Sequence, residues 1–175
     1  MDFFVRPMTH SDIREVYNIR MQGGVMPNVL SLPSDTLEEA QNYFTGEDPQ
    51  RAHFFVAEEL SSQGFRVVGA ASLVISPKLR QRHIASLGLM VHEDYHRRGI
   101  GRMLMNSVVD LAYNWLGLVR LELEVFCDNT PAIRLYEEMG FVCEGIKTCA
   151  QMRLGRYVNV AFMARINKNK INSQE

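Results

Sequence analysis

The sequence predicts a single α/β domain. Apolar periodicity alternates between strand-like and helix-like segments in the order β-α-α-β-β-β-α-β-α-β-β, and no repeat or linker interrupts it. The chain has 175 residues, 46% hydrophobic and 22% charged, enough to bury one core and ordinary for a globular protein. A net charge of −1 argues against a nucleic-acid or polyanion binder as a whole. Cys127, Cys143 and Cys149 lack metal-ligand spacing, so no metal is expected and the thiols read as reduced. No apolar run approaches ~20 residues and no basic-then-apolar start segment is present. These observations point to a cytoplasmic protein with no membrane partner.

Each element has a local reason. Phe3 to Arg6 reads as a first strand, ended by Pro7. Thr9 with Asp12 resembles a capping box ahead of Ile13, Val16, Tyr17 and Met21 at helical spacing. A looser stretch, Gln22 to Pro33, follows. Thr36 and Glu39 suggest a second cap before Leu37, Ala40, Tyr43 and Phe44. His53 to Glu59, Arg66 to Ser76 and His83 to Val91 read as strands, the first two joined by a turn at Ser61 to Gly64. A helix from about Gly99 ends near Gly117. Arg120 to Val125 alternates as a strand. Pro131 to Met139 is a short helix, opened by Asn129 or Thr130 and stopped by Gly140. Phe141 to Gln151 and Tyr157 to Ala164 form a closing hairpin around Gly155, and the polar tail from Asn167 frays.

The most informative run is His96-Arg97-Arg98-Gly99-Ile100-Gly101-Arg102-Met103-Leu104, placed after the strand Leu87 to Val91 and opening a helix. Strand, glycine turn, helix start is a geometry for holding phosphate. Glycines let backbone N–H groups approach an anion, and the helix N-terminus adds partial positive charge. Arg97, Arg98 and Arg102 add full charges. The dinucleotide fingerprint fits poorly, because Leu104 stands at its third glycine, and the P-loop Gly-Lys-Ser/Thr is missing.

The run resembles motif A, Q/R-x-x-G-x-G/A, of the GCN5-related N-acetyltransferases, with Gly99 and Gly101 at the small positions. His96 stands where the family has Gln or Arg, a departure that leaves a backbone-made grip intact. The segment Asn129 to Phe141 resembles motif B, N-x-x-A-i-x-l-Y-x-x-x-G-F, with Asn129, Ala132, Tyr136, Gly140 and Phe141 matching. Alone, Asn129 is an ordinary helix cap and Tyr136 an ordinary half-buried tyrosine. Two motifs in the right order and spacing carry the resemblance, and the element order extends it over nearly the whole chain. It implies a mixed central sheet of six to seven strands flanked by about four helices, in one domain over residues 1–166 with a polar tail, 167–175.

The resemblance also implies the chemistry. Acetyl-CoA is the expected cosubstrate, held by Leu89, Met90, Val91, Arg97, Arg98, Gly99, Ile100, Gly101, Arg102, Met103, Asn129, Ala132 and Tyr136. A primary amine attacks the thioester directly, through a tetrahedral intermediate. The developing oxyanion needs a donor, expected from the backbone of Leu89 or Val91 on a strand that splays from its neighbour. The leaving thiolate, with a thiol pKa of about 8.5 by analogy with cysteine, benefits from a proton, and Tyr136 is implied as its donor. Glu122, Glu124, Glu58 and His83 are candidate bases, each equally readable as a surface or hydrogen-bonded residue.

The acceptor is expected to be a small-molecule amine, and the working form a homodimer by family habit. Gln22 to Pro33 carries no acid, whereas a polyamine calls for an acidic pocket. The segments Glu122 to Asn129 and Gly155 to Asn159 resemble bacterial amino-acid N-acetyltransferases and, more loosely, the spermidine branch. Arg80 and Arg82 are candidate carboxylate clamps, or a solvated edge; Glu38, Glu39 and Glu47 would serve a polyamine. A protein N-terminal acetyltransferase and a non-catalytic acyl-CoA-binding protein remain alternatives.

Overall fold

A computed structural model describes residues 2–61 and 64–171. Its main elements are β1 Phe3–Pro7, α1 Ile13–Arg20, α2 Leu37–Gly46, β2 Ala52–Ser61, β3 Gly64–Ile75, β4 Ile84–Val91, α3 Ile100–Asp110, β5 Arg120–Phe126, α4 Thr130–Glu138, β6 Val142–Arg153, β7 Arg156–Ile166 and α5 Lys168–Ile171. The strands form one mixed sheet in the order β1-β2-β3-β4-β5-β7-β6, as expected for the fold. Within it the chain divides into two compact units: the N-terminal part to Leu73 with Gly88–Val108, and Val74–Leu87 with the part from Val109 onward. No helix among the described residues is long and apolar enough to cross a membrane.

In the first unit, Thr9 and Asp12 close a short 3-10 turn that feeds α1. Asp12 is buried, accepts from Arg6 Nη1 and Nη2 at 2.7 and 2.8 Å, and takes the Thr9 N–H at 2.7 Å. The Arg6 hydrogen bonds, with help from Thr9, hold its carboxyl down at about 2. The Thr36–Glu39 box opens α2 as the sequence indicates. Helix α3 buries Ile100, Leu104, Met105 and Val108, each worth about 2 kcal/mol of apolar burial. Gly69 on β3 permits that packing: a Cβ there would come within 3.1 Å of Leu104 Cδ1 and of Met90 O.

In the second unit, β5 pairs with β7 along its full length, and β6 pairs with β7 across two bulges. The hairpin turn is two residues, Leu154 and Gly155, both at positive φ, the type I′ geometry that suits strand twist.

Two expectations need correction, and a third falls partly outside the described residues. The helix after Gly99 is not uniform: α3 ends at Asp110, and Leu111–Trp115 winds as a π-turn before Gly117 at positive φ. The tail is not frayed from Asn167, since Lys168–Ile171 forms a helical turn; residues 172–175 lie outside the described ones. The turn expected at Ser61 to Gly64 includes Ser62 and Gln63, which also lie outside them.

Candidate functional site

The first unit holds the phosphate-type turn. His92 accepts the Asp94 N–H and opens a 3-10 turn, Glu93–Tyr95. Arg97 then sits at φ 61° and Gly99 at φ 81°, a left-handed pair that swings the chain into α3. The space beside Gly99 is open: a Cβ there would meet no heavy atom within 4 Å. The first-turn amides of α3 precede the first helical acceptor bond, Met103 N–H to Gly99 O at 3.1 Å, and point out of the helix end. Exposed Gly99 and half-buried Gly101 thus lie among the first-turn amides at a positive helix end. That cradle suits a pyrophosphate. His96 fills its unusual motif position by hydrogen-bonding Val91 O through Nε2 at 2.9 Å, which ties the turn to the end of β4.

The arginines separate in role. Arg97 and Arg102 are exposed. Arg98 lies over the Tyr95 ring at 4.8 Å and 3.9 Å from Glu59 Oε1. Tyr95 donates to Glu59 Oε2 at 2.5 Å, and both are buried. That bond raises the Tyr95 phenol, so it keeps its proton. No local pattern points to this pair, because Glu59 and Tyr95 stand 36 residues apart.

The strand before the turn has a defined polarity. His92 N–H bonds Val68 O at 2.9 Å and Ser76 N–H bonds Ile84 O at 2.9 Å, which set one antiparallel register between β3 and β4. Alternation then points the backbone groups of Gly88 and Met90 toward β3 and the N–H groups of Leu89 and Val91 away from it. The parallel ladder to β5 runs over Ile84–Ser86 with Arg120–Glu122. Leu89 and Val91 lie past its end. Met90, expected among the coenzyme residues, presents its backbone to β3, and Ile100 buries its side chain in the core.

Against the same strand end lies a cavity of about 490 Å³, within the range for small-molecule sites. Gly88, Leu89, Met90 and Ser72 form its sheet side. Tyr17, Arg20 and Met21 come from α1 and its C-terminus; Asp35, Glu39, Tyr43 and Phe44 come from α2 and the residues ahead of it. The Gln22 to Pro33 segment is clipped to the phosphate turn, since Gly24 N–H donates to Glu93 Oε2 at 2.8 Å and Glu93 N–H to Gln22 Oε1 at 3.0 Å.

Motif B residues belong to the second unit. Asn129 caps α4, its Oδ1 accepting from Ala132 N–H at 3.3 Å. Tyr136 is buried, packs edge-on against Phe141 at 6.0 Å, and burial pushes its phenol up to about 12. It therefore holds its proton throughout the neutral range. The proposed bases are otherwise engaged. Glu122 pairs with Arg120 at 2.5 Å, Glu124 with Lys147, and Glu58 with Arg6 at 2.5 Å. His83 is exposed ahead of β4, at the opposite end of that strand from Val91. Arg80 and Arg82 are exposed and line no part of the cavity, whose cation is Arg20. Among the described residues no three His, Cys, Asp or Glu gather as a ligand set.

The profile of the acetyltransferase (GNAT) family matches residues 14–141, well over half of the chain. The chain belongs to this family. It is 37% identical over 100 residues to the L-amino acid N-acetyltransferase AaaT of Escherichia coli K12, a match covering 57% of this chain and 62% of that enzyme. The chain thus matches less than two thirds of that relative's length. It is 26% identical over 174 residues to the spermidine N(1)-acetyltransferase of Vibrio cholerae, covering 98% of this chain and 96% of that one. A crystal structure of a spermidine N-acetyltransferase from Vibrio cholerae, in complex with CoA and spermine, superposes with a TM-score of 0.82 at 24% identity, covering 97% and 98% of the two chains. That likeness shows the GNAT fold.

Proposed function

We propose that the chain is an acetyl-CoA-dependent N-acetyltransferase acting on the primary amine of a small molecule, with an amino acid as the leading acceptor. One observation carries the reading: the open, amide-lined turn at Gly99–Arg102 and the cavity meet at the same strand end, Gly88–Val91. The first-turn amides, with Arg97 and Arg102, would hold the pyrophosphate. Acetyl-CoA would supply the acyl group as a thioester. The N–H groups of Leu89 and Val91 are the candidate oxyanion donors, because neither faces β3. Tyr136 keeps its proton and is the proposed donor to the departing sulfur. Glu122, Glu124 and His83 are the weaker part of the reading, and an amine that is already neutral needs none of them.

A polyamine acceptor is the second reading. It draws on the near full-length likeness to the spermidine enzyme and on Asp35 and Glu39 in the cavity wall. The proposal includes a homodimer, for which exposed Ile146 and Met152, on one face of the edge strand β6, offer apolar surface. It also includes a reducing cytoplasmic setting, in keeping with three free thiols. Turnover of acetyl-CoA against a panel of amino acids, polyamines and peptides tests the reading. Amino-acid turnover is the expected result; no turnover with any amine would contradict it. Light scattering at micromolar concentration tests the dimer, and a monomer there would remove that part.

A further inference from the structure

We infer that Glu59 is a positioning residue for the phosphate turn: through Tyr95 and Arg98 it holds Arg97 and Gly99 in the left-handed pair that opens the turn, and it touches no coenzyme itself; this rests on the coenzyme reading above. Among the described residues the buried polar side chains are Asp12, Glu59 and His92. Asp12 anchors α1, and the other two close on Tyr95. Tyr95 donates to Glu59 Oε2 at 2.5 Å, and the His92 and Phe3 rings meet it edge-on at 5.2 and 6.2 Å. Arg98 lies over the same ring at 4.8 Å, with Nη1 3.9 Å from Glu59 Oε1. A buried carboxylate is costly unless paired, and Glu59 is paired with two side chains of the turn.

The turn needs such a brace. Arg97 sits at φ 61°, where the Cβ of an L residue crowds the carbonyl that follows it. A strained residue persists only where its surroundings fix it. On the N-terminal side of Arg97, His96 Nε2 is tied to Val91 O at 2.9 Å. On the C-terminal side, the Arg98 side chain folds back over the residue three before it and toward Glu59. Arg97 is clamped between these two ties. The fold-back also turns the Arg98 guanidinium onto Tyr95, so Arg98 shapes the turn while exposed Arg97 and Arg102 serve the phosphates. Glu59 lies on β2, two strands from β4 in the sheet, and is buried, so its effect on a coenzyme passes through the turn.

The test is calorimetric titration of CoA into the wild type, Glu59→Gln, Arg97→Gly and the double variant, with urea titrations showing that each is folded. Glu59→Gln keeps the size of the side chain and removes its charge, and it should weaken CoA at least about fivefold. Glycine adopts positive φ without the Cβ clash, so in the Arg97→Gly background the same change should weaken CoA less than about twofold. Should Glu59→Gln not fold, Tyr95→Phe, which keeps the ring and drops the hydroxyl, takes its place in the cycle. Unchanged CoA affinity in the folded variant overturns the inference and leaves the coenzyme reading standing. An equal loss in both backgrounds overturns it as well, because Glu59 would then act on CoA by a route other than the strained turn. If the wild type binds no CoA, the coenzyme reading falls. Amide exchange over residues 97–101 then decides the brace alone: faster exchange in Glu59→Gln supports it, and an unchanged rate overturns it.

Discussion

The phosphate turn and the acceptor cavity lie in the same unit and share a strand end, yet they are built in opposite ways. The turn is made of backbone: a left-handed Gly99, the first-turn amides after it, and the N–H groups of Leu89 and Val91. The cavity is made of side chains gathered from Met8, Arg20, Asp35, Phe54 and Leu89. Backbone function constrains the local sequence, because few residues tolerate positive φ or need no side chain. Side-chain function leaves local sequence free and fixes only which distant residues meet.

The largest expected effect tests chemistry carried by one side chain. Tyr136→Phe keeps the ring that packs on Phe141 and removes the proton. The expected outcome is a fall in kcat of ~10²-fold with CoA affinity little changed, in the range for general acid catalysis. Steady-state kinetics with calorimetry checks it, and equal activity would reduce Tyr136 to packing.

A smaller effect separates the two regions by pH. Asp12 anchors the start of α1, whose later residues line the cavity, and no residue of the phosphate turn depends on it. Its carboxyl is held at about 2, below its unfolded value, so its contribution is present above about pH 4 and lost as pH falls toward 2. About 2 kcal/mol is at stake. Urea titrations at pH 6 and pH 2.5 should show Asp12→Asn costing stability at the higher pH and little at the lower. Hydrogen exchange should show α1 opening before α3. A pH-independent cost would break this account of the α1 anchor.

The smallest effect concerns Asn129. As a cap on α4, Asn129→Ala should lower stability by about 1 kcal/mol and change CoA affinity by less than about threefold. Thermal unfolding paired with calorimetry decides it. A tenfold affinity loss at unchanged stability would make Asn129 a ligand.

What the sequence conveyed follows the same division. The turn at Gly99, the Thr36–Glu39 box, the Asn129 cap and the Leu154–Gly155 hairpin each impose a residue type at a fixed offset, and each was readable. Arg20 was not readable, since an arginine at a helix C-terminus is unremarkable until the fold places it in the cavity wall; Arg80 and Arg82 looked equally suitable. The Glu59–Tyr95 bond and the ion pairs that occupy Glu122 and Glu124 join strands and turns far apart in the chain. The π-turn at Leu111–Trp115 keeps an apolar period close to helical, so periodicity alone extended α3 through it.

The central claim is that the backbone turn at Gly99 holds the coenzyme's phosphates, and calorimetric titration of CoA into the wild type and Gly99→Val tests it most directly. The valine would fill the open space beside the amides and strain a φ of 81°. With circular dichroism showing both proteins folded, the expected result is a loss of at least about tenfold in affinity, or ~1.4 kcal/mol. Unchanged affinity in the folded variant would contradict the assignment.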